Sequence, residues 1–195
     1  VGEIPFIADN IFGTKDSSLP IVSLKPVLED LHKYLFNNII WPDFTALAVG
    51  DTPILQFVSI EEGEYKSIAG IDFTAYRVDH SVNAVGYILR DESGSVLYSG
   101  DTGPTSKIWE KGKELDDLRA IITEVSFPNF MSGIADVAKH FTPETLHEEV
   151  KKMPADIPIY LYHEKIRFHD EILKDLEDLN EPRLQMLVQG ETYTF

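Results

Sequence analysis

After Pro53, strand-like runs crowd together and then give way to runs that alternate with helices, and this order constrains the fold more than any other feature. Residues 54–60, 71–78 and 85–90 are rich in β-branched and aromatic side chains, which suit a pleated surface. Glu92-Ser93-Gly94-Ser95 predicts a turn, with residues 96–99 returning as the hairpin partner. From there the pattern predicts a helix near 107–115 and a strand over 120–125. A second helix starts at Thr142 and runs to about residue 152, and a short buried strand covers 159–162. An amphipathic helix over 168–179 and a last strand over 184–188 follow. Thr142 suits the N-cap of its helix and Pro143 the first helical position. Ahead of Pro53, residues 27–36 have apolar side chains at helical spacing. The next stretch, NNIIWPDF, predicts a loop in which Pro42 stops the helix. Strands first and alternation later favour sheets covered by helices, in the α/β or α+β class.

The 195 residues suit one domain over 1–195, with no repeat and no Gly/Ser-rich linker to divide it. No apolar run approaches the roughly 18 residues of a membrane span, so no membrane partner is expected. Cysteine is absent, which excludes disulfides and Cys-ligated zinc. The formal net charge of −16 would repel long nucleic acid but tolerates a small anion held by metal ions.

Three histidines and two carboxylates fall at predicted strand ends or loops, where scaffolds present functional groups. His80 follows the 71–78 strand, His163 closes the 159–162 strand, and His140 lies in KHFTPE before the Thr142 helix. Asp101 sits in LYSGDTG, where Gly100 and Gly103 let the backbone turn sharply, and Glu124 ends a strand in TEVSF. Singly, each is what an ordinary strand end or turn carries. Together, a carboxylate and several imidazoles are donors that suit Zn²⁺ and similar ions. His32 and His147 fall inside predicted helices as surface residues, and His169 opens a helix as a cap neighbour or as a group that supports a ligand from behind.

In order, DHSVNAVGY, SGDT, TEVSF, KHFT and YHEK resemble the later motifs of the metallo-β-lactamase superfamily, especially its phosphodiesterase branch. LFNN, WPDF, KHFTPETLHEEVKKM, IYLYHEKIRFHDEI and LQMLVQGETYTF are similar to class II cyclic-nucleotide phosphodiesterases in particular. The resemblance implies a four-layer αββα sandwich lacking its N-terminal strands. It implies that His80 ligates one metal, Asp101 bridges two, and His163 ligates the second. His140, oriented by Glu124, would protonate the leaving group. The implied cofactors are two divalent ions, zinc with manganese or iron as alternatives. The implied substrate is a small phosphodiester, foremost a 3′,5′-cyclic nucleotide, attacked by hydroxide held between the metals; a homodimer fits the same picture. The superfamily's His-x-His-x-Asp-His loop does not occur in the sequence and is expected upstream of Val1. Alternatives on the same scaffold are ribonuclease Z-like or lactone hydrolysis, and a non-catalytic homologue that never had the loop.

Overall fold

The structure is a computed structural model that describes residues 1–14 and 17–195. Its residues group into two compact units, Val1–Glu61 and Glu62–Phe195. The first holds helix α1 (Ile4–Ile11), strand β1 (Leu19–Leu24) and helix α2 (Lys25–Asp30), which continues through a π-helical turn, Leu31–Leu35. A small hairpin of β2 (Ala48–Val49) and β3 (Thr52–Pro53) precedes β4 (Leu55–Ile60). Strands β1 and β4 pair in parallel from Leu19↔Leu55 to Leu24↔Ile60. Pro20 has no N–H to donate, and a two-stranded sheet leaves it an edge on which that is tolerated. Ala8, Leu28, Leu31, Phe36, Phe44, Ile54 and Leu55 form this unit's buried cluster.

The second unit is built on seven strands: β5 (Lys66–Ile68), β6 (Ile71–Arg77), β7 (Val85–Asp91), β8 (Gly94–Tyr98), β9 (Leu118–Glu124), β10 (Ile159–Tyr162) and β11 (Leu184–Met186). They lie in the order β11-β10-β9-β8-β7-β6-β5. Short turns join β5 to β8, and these strands pair antiparallel. From β8 to β11 the pairing is parallel. Each parallel return needs a crossover, supplied by α3 (Lys107–Lys113), by α4 (Ser132–Ala138) with α5 (Pro143–Val150), and by α6 (His169–Leu179). Ile88, Leu97, Ile121, Ile159 and Leu184 stand opposite one another in successive strands and make an apolar row across the sheet. Ile108 and Trp109 of α3, Leu146 and Val150 of α5 and Ile172 of α6 belong to the same buried cluster. Each fully buried aliphatic side chain of that row contributes roughly 1.5–3 kcal/mol.

The α5 start follows its sequence signal. The Thr142 hydroxyl accepts from the Thr145 amide, the Thr145 hydroxyl accepts from the Thr142 amide, and Pro143 opens the helix. The strand over 159–162 and the helix ending at Leu179 also stand as expected. Helix α1, strand β1 and helix α4 have no counterpart in the sequence reading.

Two antiparallel steps, β6 to β7 to β8, leave β6 and β8 pointing the same way, and β9 and β10 run parallel to β8. With β11 parallel to β10, the carboxyl ends of five strands therefore face one edge of the sheet. In α/β sheets, that is the edge where ligands bind.

Candidate metal centre

His80 follows β6, Asp101 follows β8, Glu124 is the last residue of β9, and His163 is the first residue after β10. His140 comes from the loop between α4 and α5. Backbone conformation aims several of them. Gly100 has φ +66°, and a Cβ there would lie 2.8 Å from the Val85 carbonyl oxygen, so only glycine makes the turn that leads to Asp101. His163 itself has φ 69°, the left-handed region that a non-glycine residue enters at a cost of roughly 1–3 kcal/mol. Lys139, at φ 59°, ends α4 in the same conformation.

The three imidazoles share one arrangement. His80 Nδ1 lies 3.2 Å from the Lys139 carbonyl oxygen, His140 Nδ1 lies 2.8 Å from Glu124 Oε1, and His163 Nδ1 lies 2.9 Å from Ser126 Oγ. A carbonyl or an ionised carboxylate only accepts, so His80 and His140 donate from Nδ1. The Ser126 hydroxyl gives its hydrogen to Glu124 Oε2 at 2.7 Å and so accepts from His163. All three rings therefore carry the Nδ1 hydrogen and leave Nε2 available, as metal-binding histidines do when a neighbour fixes their tautomer. The His140 ring centroid is 4.9 Å from that of His80 and 5.2 Å from that of His163. Asp101 Oδ2 lies 3.7 Å from His163 Nε2.

Glu124 has no solvent exposure. Its Oε1 accepts from His140 and, at 3.3 Å each, from the amides of Thr102 and Phe141, while Oε2 accepts from Ser126. A buried carboxylate is tolerable only with such partners. Glu124, His140 and His163 each place one donor atom within 4.8 Å of the others. Glu124 is nevertheless a poor metal ligand, since both its oxygens are already engaged by donors of the protein. Burial holds the His163 imidazole below its ordinary range, with Asp101 opposing and Lys165 assisting, which favours the neutral ring with a free lone pair.

No protein-family model matches the chain. It is 26% identical over 216 residues to a probable 3′,5′-cyclic-nucleotide phosphodiesterase of Yersinia pestis, a match covering 92% of this chain and 62% of that protein. Unliganded yeast PDE1 superposes with a TM-score of 0.81 at 20% identity, over 97% of this chain and 64% of the other. The metallo-β-lactamase fold protein YhfI of Bacillus subtilis superposes with a TM-score of 0.72 at 15% identity, over 99% of this chain and 72% of the other. The chain has the metallo-β-lactamase fold. It spans less than two thirds of the length of the Yersinia relative and of yeast PDE1.

On this metallo-β-lactamase fold the donor set fits a divalent ion. The 3.7 Å between Asp101 Oδ2 and His163 Nε2 is too long for a hydrogen bond. It is close to the spacing of two donors that each stand about 2 Å from a shared ion. Of the sequence-predicted residues, the fold gathers His140, His163, Glu124 and Asp101 directly and joins His80 through the His140 ring. The remaining histidines stand outside this cluster. His32 bonds Asp43 at 3.0 Å, His169 bonds Glu164 at 2.8 Å, and His147 lies in α5.

Sequence reasoning missed Ser126, Thr102 and the Lys139 carbonyl. Ser126 had a signal: it stands two residues beyond Glu124, and period-two geometry puts both on one side of the extended chain. A backbone carbonyl has none.

Proposed function

We propose that the protein is a metal-dependent hydrolase of small phosphodiesters, with a 3′,5′-cyclic nucleotide as the leading substrate. The observation that carries this reading is the cluster of imidazoles anchored at Nδ1 beside Asp101. The similarity to the Yersinia pestis protein supports the choice of substrate. The net charge of −16 argues against long RNA.

His80 and His163 offer Nε2 and Asp101 a carboxylate, and these residues would hold the ions, with zinc favoured by donor type. When bound, such ions supply Lewis acidity to a phosphoryl oxygen and make water a stronger nucleophile at neutral pH. The three rings differ in what holds Nδ1. The acceptors for His80 and His163 are a carbonyl and a hydroxyl, both neutral, whereas that for His140 is a buried carboxylate. A ring that donates from Nε2 starts as the imidazolium, which a neighbouring anion stabilises, so His140 is the ring assigned to give its Nε2 proton to the leaving alkoxide. Glu124 holds its orientation, and the Thr102 and Phe141 amides hold Glu124.

The test is incubation of the zinc-loaded product of the complete gene with 3′,5′-cyclic AMP, following 5′-AMP by chromatography. Turnover that a chelator abolishes and zinc restores is expected. A zinc-loaded protein that cleaves neither this substrate nor bis(4-nitrophenyl) phosphate would overturn the proposal.

A further inference from the structure

The chain carries 33 acidic side chains against 17 basic ones. Lys107, Lys111, Lys139, Lys151 and Lys152 each pair with a carboxylate. Lys165 makes no such pair among the described residues, although it stands two positions after His163. Its Nζ lies 5.5 Å from the centroid of the Phe127 ring, within cation–π range. That ring stands 5.9 Å from the His140 ring.

The backbone on both sides is fixed. The Lys165 amide donates to the Ser126 carbonyl at 3.1 Å, and the amides of Ser126 and Phe127 donate to the Phe141 carbonyl at 2.9 and 3.2 Å. The loops that carry Lys165 and Phe127 are thus tied to those that carry His163 and His140. Phe127 offers the ammonium a resting place beside the imidazoles without neutralising it, as a carboxylate would.

We propose that Lys165 is an anion contact of this site, its ammonium taking a non-bridging phosphoryl oxygen of the substrate and of the phosphate monoester released. The inference rests on the phosphodiesterase reading and adds a substrate-positioning residue to it. A lysine binds phosphate as a point charge on a flexible stem, so it can follow the oxygen through the reaction. In a chain with a large negative surplus, it offsets the repulsion an anionic substrate meets on approach.

Calorimetric titration of the zinc-loaded full-length protein with inorganic phosphate tests this. The same titration is run on Lys165→Met, Lys165→Arg and Lys174→Met, the last an exposed lysine of α6. Lys165→Met is expected to weaken phosphate binding about tenfold, the effect of losing one charge-assisted hydrogen bond, with zinc content unchanged. Lys165→Arg should keep most of the affinity, and Lys174→Met all of it. Equal binding by the wild type and Lys165→Met would overturn the inference. So would an equal loss in Lys174→Met, which would reduce the effect to bulk charge. A wild-type protein that binds no phosphate would also overturn the inference, while the proposed function fails separately, on absence of diester turnover, so the two failures are told apart.

Discussion

His140 Nδ1 lies 2.8 Å from Oε1 of Glu124, a carboxylate with no exposure to solvent. The pair makes a directional prediction. His140→Ala should leave zinc content intact and slow turnover, because its ring is assigned to the leaving group and not to the ions. The loss should be about 10²–10⁴-fold for a diester with a poor leaving group and far smaller for a 4-nitrophenyl ester, whose leaving group needs no proton. Steady-state rates on the two substrates check it; an equal loss on both refutes the proton-donor role.

Ser126 joins two parts of the site with one hydroxyl, donating to Glu124 and accepting from His163. Ser126→Ala leaves the His163 Nδ1 hydrogen without its acceptor, so the ring is free to turn. Zinc affinity, read by competition with a chromophoric chelator, should fall about 10–100-fold. Glu124 Oε2 also loses its donor, which should cost about 1–3 kcal/mol in urea unfolding. Unchanged zinc affinity would show that Ser126 serves packing alone.

Legibility in the sequence followed the reach of each physical signal. The β10 strand was readable because Pro158 bounds a short apolar run, and the start of α5 because Thr142 and Pro143 have matching roles at a helix N-terminus. His80, Asp101, His140 and His163 were readable as strand-end and loop groups, but which of them meet is set by strand order. A β10 placed elsewhere in the sheet would have carried His163 away from Glu124, its neighbour across the Tyr162↔Glu124 register. The His80 anchor was out of reach, since it is a backbone carbonyl of a residue at φ 59° and no side-chain pattern records that.

Away from the site, Glu149 makes a stability prediction. It is 2% exposed and accepts from the Trp109 indole N–H at 3.0 Å and the Thr105 amide at 3.1 Å. Glu149→Leu keeps the volume but leaves the buried indole N–H and the part-buried Thr105 amide without an acceptor. An unfolding free energy lower by about 1–3 kcal/mol for each orphaned donor is expected. Trp109→Phe removes one of those donors, so the double variant should lose less than the sum of the single variants. Strict additivity in urea titrations would show that the indole bond contributes nothing.

Asp101 makes the sharpest contrast with His140. It stands beyond the Gly100 turn with Oδ2 at 3.7 Å from His163 Nε2, and among the described residues no hydrogen-bond donor occupies that oxygen. A carboxylate held beside a histidine lone pair without a proton between them is stabilised by a cation placed between the two. Asp101→Asn keeps shape and size but replaces an anion with a dipole, and one of its oxygens with an N–H₂ that cannot ligate. Zinc content measured by atomic emission should therefore fall by at least one equivalent, and activity should fall with it in proportion. In His140→Ala the same measurement should show full zinc with low activity. Removing metal from the wild type with a chelator should reproduce the Asp101→Asn protein, and added zinc should rescue the wild type but not the variant. Two full equivalents of zinc in Asp101→Asn would remove Asp101 from the ligand set and leave it a positioning role at most.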